Sequence, residues 1–187
     1  MRTFIAVDLP EEIKARISGF IQRLKPAAPR GIGWSSTGDL HVTLKFLGEI
    51  EESLLSAVGE AVRVVAAETP VFPLSVAGTG TFPPLSRHPR VLWIGLNDNP
   101  NLKDLQNRLE NALEARGFPR EQRPLHPHLT AARVKSAGIP QTLLDRFAEA
   151  DGILFGNTDV RELVVYQSIL KPGGAEHRPL LSGALRA

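Results

Sequence analysis

HVTLKFLG at residues 41–48 decides the fold together with HLTAAR at residues 128–133, because both stretches read His-x-Thr followed by small or apolar residues. Both are rich in β-branched or apolar residues and carry no helical stripe, so each predicts a β-strand. Side chains two positions apart in a strand point to one face, which sets His41 beside Thr43 and His128 beside Thr130. If the two strands face each other across a cleft, two imidazoles and two hydroxyls meet in one small volume. Such a group suits acid–base chemistry on an anionic centre.

The composition indicates one globular domain and excludes several classes of protein. The 187 residues are 42% hydrophobic and 22% charged, which fits a packed core rather than disorder. Because cysteine is absent, disulfide frameworks, thiol catalysis and cysteine-based zinc sites are excluded. Residues 1–9 read as the start of a strand rather than a signal peptide, and no apolar run approaches membrane-spanning length, so we expect a cytoplasmic protein. A net charge of +2 tolerates an anionic substrate without implying a long nucleic-acid groove.

The first part of the chain alternates predicted strands and helices. Residues 3–7 predict a short strand, and Asp8 is expected to cap a helix that Pro10 begins. The first His-x-Thr strand follows over 41–47, then a helix over about 52–67 and a strand near 71–77. Glycines and prolines over 78–90 predict a long surface loop. The apolar face of the first helix comprises Ile13, Ile17, Phe20, Ile21 and Leu24.

The second part repeats this order of elements. Residues 91–96 predict a buried strand, and Asn99 with Pro100 begins a helix that Gly117 closes. A loop over 118–127 leads to the second His-x-Thr strand, and Pro140 begins a further helix. The last predicted strand covers about 160–170.

The spacing from the first strand to the histidine is nearly equal in the two parts, which indicates an internal structural duplication. We therefore expect a single bilobal domain over residues 1–187, with half-repeats at about 1–80 and 88–170. A rough two-fold axis between the motifs would bring His41 and His128 face to face.

The two motifs resemble those of the two-histidine (2H) phosphoesterases, and most closely the LigT-like RNA 2',3'-cyclic phosphodiesterases, first named 2'-5' RNA ligases. The resemblance rests on residues 40–48, on RTFIAV at residues 2–7, on PHLT at residues 127–130 with Arg133, and on YQSILKPGG at residues 166–174. It therefore covers nearly the whole chain. Two positions depart from the family pattern. Ala131 replaces a larger aliphatic residue, and His177 stands where an aromatic residue, usually tyrosine, is common.

The resemblance implies an α+β, LigT-like bilobal fold, in which two antiparallel sheets flank a central cleft and helices lie outside. It implies hydrolysis of an RNA terminal 2',3'-cyclic phosphate to a 2'-phosphomonoester, without metal or other cofactor. By the same resemblance, His41 is the proton donor, His128 is the proton acceptor, and Thr43, Thr130 and Arg133 bind the phosphate. The implied partners are RNA ends or nucleotides with a 2',3'-cyclic phosphate, with no membrane association, and we expect a monomer. Two alternatives stay open, namely 2'-5' RNA ligation by the same site and a non-catalytic module that binds nucleotides or RNA ends.

Strand parity leaves some roles undecided. Arg133 points away from His128 in a regular strand, so it reaches the cleft only if the strand bulges or ends there. Lys45 lies on the same strand face as His41, and we expect its side chain to be solvated. Phe46 lies on the opposite face, where we expect it to pack in the core. Trp34 is either a base-stacking residue or a hydrophobic anchor.

A metal site is the main chemical alternative near the second motif. His126 and His128 are separated by one residue and can share a metal ion, but a third ligand and acidic neighbours are lacking in the adjacent sequence. We therefore expect no metal. No Gly-x-Ser-x-Gly elbow or Walker-type loop is present either.

Overall fold

The structure is a computed structural model that describes residues 1–124, 126–135, 138–171 and 174–187. Leu125 of the predicted loop, and Pro172 and Gly173 of the family-like C-terminal stretch, lie outside the described residues. In chain order the elements are β1 Arg2–Asp8, α1 Glu11–Leu24, β2 Ile32–Trp34, β3 His41–Glu49, α2 Leu55–Glu68, β4 Phe72–Phe82, β5 Val91–Leu96, α3 Pro100–Glu114, β6 His128–Val134, α4 Gln141–Ala148, β7 Leu154–Val160, β8 Glu162–Lys171 and β9 Gly174–Ala184.

The strands form two sheets in which all neighbours are antiparallel. One sheet has the order β3-β1-β8-β9 and the other has the order β2-β6-β5-β4-β7. Helix α1 contacts β7, α2 contacts β9 and α4 contacts β4, so helices pack against both sheets. This architecture confirms the predicted α+β fold with two antiparallel sheets.

The two parts of the chain exchange strands between the sheets. Strand β4 comes from the first part but pairs with β5 and β7 in the second sheet. Strand β8 comes from the second part but pairs with β1 in the first sheet. Each sheet therefore contains a His-x-Thr strand, then the first strand of the same part, then a strand of the other part. The division into half-repeats remains a prediction.

Two of the predicted helices show the expected apolar faces, and one of them also has the expected cap. The five predicted apolar residues of α1 are all buried, as are Leu102, Leu105, Leu109 and Leu113 of α3. Helix α3 begins as predicted, because the Asn99 side chain accepts a hydrogen bond from the Leu102 backbone N–H at 3.1 Å. The predicted cap of α1 was wrong. Asp8 ends β1, and Pro10 is the N-cap residue and makes no side-chain capping bond.

The predicted surface loop over 78–90 begins too early, because β4 continues to Phe82. Gly78 has φ +76° at an irregularity of the β4–β5 register, where glycine tolerates the left-handed backbone. Gly80 lies under the Trp93 indole, and a Cβ atom there would come within 2.1 Å of the ring. These glycines serve a bulge and a close approach within a strand rather than a turn.

The start of α2 and the number of strands also differ from the sequence prediction. A 3-10 turn at Glu52–Leu54 precedes α2, which begins at Leu55. The strand expected over about 160–170 is confirmed as β8, whereas the sequence analysis missed β2, β7 and β9. Among the described residues, no helix is long and apolar enough to cross a membrane.

Candidate active site

The two His-x-Thr strands lie against each other. Strand β3 is the edge of the first sheet and contacts β6 of the second sheet. In both strands the histidine and threonine are partly exposed while the residue between them is buried. The paired residues of each motif therefore share a face, as predicted, and the structure brings the two motif strands into contact.

Each motif strand has a bulge directly after its threonine. In β3, Thr43 pairs with Ala6 and Lys45 pairs with Ile5, which leaves Leu44 as an extra residue. In β6 the same shift leaves Ala131 as the extra residue between Thr130 and Ala132. A bulge puts two consecutive side chains on one face and so reverses the alternation that follows.

The bulges explain which strand face Arg133, Lys45 and Phe46 occupy. Arg133 is exposed after two consecutive buried residues, and its charge acts on His128, so it lies on the side of the predicted site. The predictions for Lys45 and Phe46 were wrong. Lys45 is buried at 5% relative exposure, whereas Phe46 is 62% exposed. The Phe4 ring contacts the rings of both His41 and Phe46, so Phe46 lies on the histidine face.

His41 lies in a cluster of aromatic rings. Its ring stacks on Phe4 at a centroid distance of 4.8 Å and on Tyr166 at 5.9 Å. His177 meets the His41 ring edge-on at 5.1 Å. Burial, followed by the charge of His177, lowers the pKa of His41 to about 4, although Asp8 and Asp39 oppose this shift. The His41 ring is therefore neutral in the free protein near pH 7.

Asp8 joins this cluster to helix α1. Its carboxylate forms an ion pair with Lys14 at 2.7 Å and accepts a hydrogen bond from the Tyr166 hydroxyl at 3.1 Å. Burial, followed by the charge of Asp8, raises the pKa of Tyr166, so its hydroxyl keeps its proton. This network fixes the Tyr166 ring that stacks on His41.

His177 is the site residue that the sequence analysis treated only as a departure from the family pattern. Its Nε2 lies 3.6 Å from Asp39 Oδ1, and its buried Nδ1 has no hydrogen-bond partner within the described part of the chain. Burial lowers the pKa of His177 and Asp39 opposes that effect. No local pattern places a residue of the C-terminal hairpin beside His41, because the contact depends on the pairing of β8 with β1 and β9.

His128 has a different setting. Its Nδ1 lies 2.6 Å from the His126 carbonyl oxygen. Because a carbonyl only accepts hydrogen bonds, Nδ1 carries a hydrogen atom, and Nε2 of the neutral ring is left as the acceptor. Burial lowers the pKa of His128, the His126 carbonyl opposes this shift, and the charge of Arg133 adds to it.

A cavity of about 150 Å³ adjoins His128. Its aromatic wall is formed by Phe82, Trp93 and His126. The Phe82 ring lies 5.0 Å from the His128 ring and 5.5 Å from the Trp93 ring, both between centroids. The indole lies over Gly80, where a Cβ atom would come within 2.1 Å of the ring, whereas a Cβ atom at Gly95 would lie 3.3 Å from the ring and 2.6 Å from the Ala77 carbonyl oxygen. The absence of a side chain at Gly80 therefore leaves room for the indole beside the second motif.

Polar groups suited to an anion are left free. Within 1–124, 126–135, 138–171 and 174–187, the hydroxyls of Thr43 and Thr130 and the guanidinium of Arg133 have no hydrogen-bond partner. By contrast, no group of three or more His, Cys, Asp or Glu side chains in these ranges is arranged to hold a metal ion. His126 turns its carbonyl to His128, and its own ring lies 6.3 Å from Phe82. Trp34 pairs with Ala132 and packs against the core, which is the anchoring role.

The family model of the 2'-5' RNA ligase superfamily matches residues 8–169. The chain belongs to this superfamily. A relative from Methanocaldococcus jannaschii named RNA 2',3'-cyclic phosphodiesterase is 35% identical over 174 residues, which cover 93% of this chain and 95% of the relative.

Solved structures of similar proteins agree with this assignment to the 2'-5' RNA ligase superfamily. A crystal structure from Thermus thermophilus aligns with a TM-score of 0.82 at 30% identity and covers 100% of this chain and 98% of its own. Escherichia coli LigT complexed with 3'-AMP aligns with a TM-score of 0.77 at 29% identity and the same coverage. The resemblance to LigT-like proteins stated from the motifs is thereby confirmed.

Proposed function

We propose that this protein hydrolyses the terminal 2',3'-cyclic phosphate of RNA to a 2'-phosphomonoester, with His41 as proton donor and His128 as proton acceptor. The observation that supports the proposal is the contact between two His-x-Thr strands with identical bulges, each of which has its histidine and threonine on a partly exposed face. The name of the Methanocaldococcus jannaschii relative supports the same activity.

The role of His128 rests on its tautomer. With Nδ1–H donating to the His126 carbonyl, neutral His128 offers Nε2 to a water molecule. Burial and the Arg133 charge keep the ring neutral by lowering its pKa. Water attacks phosphorus, its proton passes to His128 Nε2, and a new P–O bond forms as the P–O3' bond breaks.

The role of His41 rests on its aromatic surroundings. A pKa of about 4 makes the protonated ring a strong acid but a minor form in the free protein. A bound phosphodiester anion favours the charged ring and raises the pKa of His41, so the ring becomes protonated when substrate binds. His41 then gives its proton to O3', and the phosphate stays on O2'.

Three further groups are proposed to bind the phosphate. Thr43 and Thr130 each donate a hydroxyl hydrogen bond to a non-bridging oxygen, from the same face as the adjacent histidine. Arg133 supplies a forked, positively charged donor that stabilises the charge built up by water attack. The cations in this scheme come from the chain itself, and we propose that no metal ion is needed.

Incubation with adenosine 2',3'-cyclic phosphate in excess EDTA tests the proposal. We expect adenosine 2'-phosphate, identified by phosphorus NMR against both monophosphate isomers. The 3' isomer as product would contradict the proposed geometry. Loss of activity in EDTA that a divalent ion restores would contradict metal independence. Binding of the nucleotide without turnover would favour a non-catalytic module.

The cavity beside His128 favours one second candidate, the formation of a 2'-5' linkage. A nucleoside whose base stacks on Phe82 or Trp93 would place an alcohol near the proton acceptor, where it replaces water as the nucleophile. The same proton transfers then join the 5' oxygen to phosphorus and release O3'. An RNA with a 5'-hydroxyl, added in excess over a cyclic phosphate-terminated RNA, should yield a joined product, and hydrolysis alone would count against ligation.

A further inference from the structure

Lys45 and Glu110 form a buried ion pair next to the first motif. Lys45 Nζ lies 2.7 Å from Glu110 Oε2, and the relative exposures of the two side chains are 5% and 2%. Lys45 Nζ also donates to the Pro119 carbonyl oxygen at 2.6 Å. The bulge in β3 turns this lysine inwards, two residues after Thr43.

Both oxygens of the Glu110 carboxylate accept further hydrogen bonds. Its Oε1 accepts a hydrogen bond from Gln106 Nε2 at 3.2 Å. Its Oε2 accepts a second bond, at 3.2 Å, from the backbone N–H of Glu121. The pair therefore joins strand β3 both to helix α3 and to the segment that follows α3.

That segment leads to the second motif. It continues from Pro119 through Glu121 to His126, whose carbonyl accepts the hydrogen bond from His128 Nδ1. Lys45 belongs to the edge strand of the first sheet, whereas all of its partners precede the second His-x-Thr strand. One buried charge pair thus spans the two parts of the site.

The bulge itself does not need the charge. Ala132 occupies the equivalent position in β6, is buried after the same bulge, and carries no charge. A buried ion pair also costs desolvation, so an apolar pair of similar size is often as stable or more stable. The role of Lys45 and Glu110 therefore has to be sought in geometry rather than in stability.

We infer that Lys45 and Glu110 are positioning residues that set the separation of His41 and His128 by fixing β3 against Pro119 and Glu121, which precede the second motif. The inference rests on the proposed function, because it assigns the pair to the two-histidine reaction. Displacement of about 1 Å between an acid and a base is enough to slow such a step about 100-fold.

The test compares Lys45→Met, Glu110→Leu and the double variant K45M/E110L, each measured for Tm, kcat and KM with a 2',3'-cyclic nucleotide. Each single variant leaves one buried charge unpaired and should lower Tm and kcat. The double variant should regain Tm, yet keep a kcat about 10- to 100-fold below wild type with little change in KM. Lys103→Met, which removes the exposed ion pair with Asp98, is the matched control and should change neither Tm nor kcat.

The inference is overturned if the double variant regains both Tm and kcat, because the pair would then only fill space. It is also overturned if folded Lys45→Met keeps wild-type kcat. If the single variants do not fold, Glu110→Gln is measured instead, because glutamine retains the shape and a neutral acceptor. The fractional loss of kcat should then exceed the fractional loss of Tm. Wild-type kcat there would equally overturn the inference.

A second measurement separates this inference from the proposed function. If wild-type protein shows no turnover, the proposed hydrolysis fails, and the pair is then examined by NMR of the histidine rings. In K45M/E110L the ring signals and titration of His128 should change, since the segment carrying the His126 carbonyl has lost its anchor. Unchanged signals would reject the positioning role.

Discussion

Phe46 and Arg133 occupy equivalent positions in the two motif strands, three residues after the threonine and just past the bulge. Both are exposed, and both follow two consecutive buried residues. The site is thus symmetric in backbone but asymmetric in chemistry, with an aromatic ring on the His41 side and a guanidinium on the His128 side. Under the proposed function, a nucleotide bound between the two motifs would have different neighbours on its two sides.

Replacement of either histidine should remove most of the activity. His41→Ala and His128→Ala are each expected to lower kcat by about 10²–10⁴-fold, the range for loss of a general acid or base. Because both act in one step, the double variant should lose less than the product of the single losses. Turnover of a cyclic nucleotide measures this, and near-wild-type turnover by a folded single variant would refute the paired mechanism.

Arg133→Lys should lower kcat/KM although the charge is kept, because an ammonium group cannot make the forked contact of a guanidinium. Steady-state kinetics at fixed salt checks this prediction. Arg161→Lys is the control, since Arg161 is exposed and pairs with Asp159 on the surface. Full activity of Arg133→Ala would make Arg133 an ordinary surface residue.

Phe46→Ala should weaken recognition of the base rather than the chemistry. An exposed ring on the histidine face offers a stacking surface, so KM for a cyclic nucleotide should rise about 5- to 100-fold. Ribose 2',3'-cyclic phosphate has no base and should be hydrolysed equally by both proteins. Val64→Ala on helix α2 is the control for loss of an exposed apolar side chain. Equal losses with both substrates would remove Phe46 from base recognition.

The pH dependence should differ between the free protein and its substrate complex. Donor His41 must be protonated and acceptor His128 neutral, and burial lowers the pKa of both. The bell-shaped profile of kcat/KM should therefore have its optimum below pH 6.5, the ordinary histidine value. Bound phosphate raises the pKa of His41, so activity measured as kcat should be lost at higher pH than kcat/KM. If the pH profiles of kcat and kcat/KM coincide, substrate binding does not raise the pKa of His41.

Gly80→Ala should disturb the cavity through Trp93. The new Cβ atom would come within 2.1 Å of the indole, so the ring must move, at a cost of about 1–3 kcal/mol in the free energy of unfolding. Urea denaturation measures the cost, and tryptophan fluorescence reports the movement. Gly19→Ala in helix α1 is the opposite control, because its site is open and alanine should stabilise the helix by about 0.5–1 kcal/mol. Equal stability changes would contradict the role given to Gly80.

The sequence predicted the parts of the fold that depend on local pattern. The α1 and α3 faces, the Asn99 cap and the shared face of each His-x-Thr pair all follow from residue spacing, and the structure has them. Prediction failed where distant pairing decides. The bulges after Thr43 and Thr130 carry no glycine and no other local signal, so parity placed Lys45 and Phe46 on the wrong faces. Likewise, Gly80 was assigned to a surface loop because the side chain that requires a glycine there, the indole of Trp93, lies on another strand.

The exchange of β4 and β8 makes each sheet depend on both parts of the chain. A fragment ending before the segment 83–90 would lack the β8 partner of β1, and the remaining fragment would lack the β4 partner of β5 and β7. The molecule thus resembles a domain-swapped dimer whose two subunits have been fused into one polypeptide. Cleavage between β4 and β5 should accordingly yield two fragments that are unfolded apart and fold only when mixed.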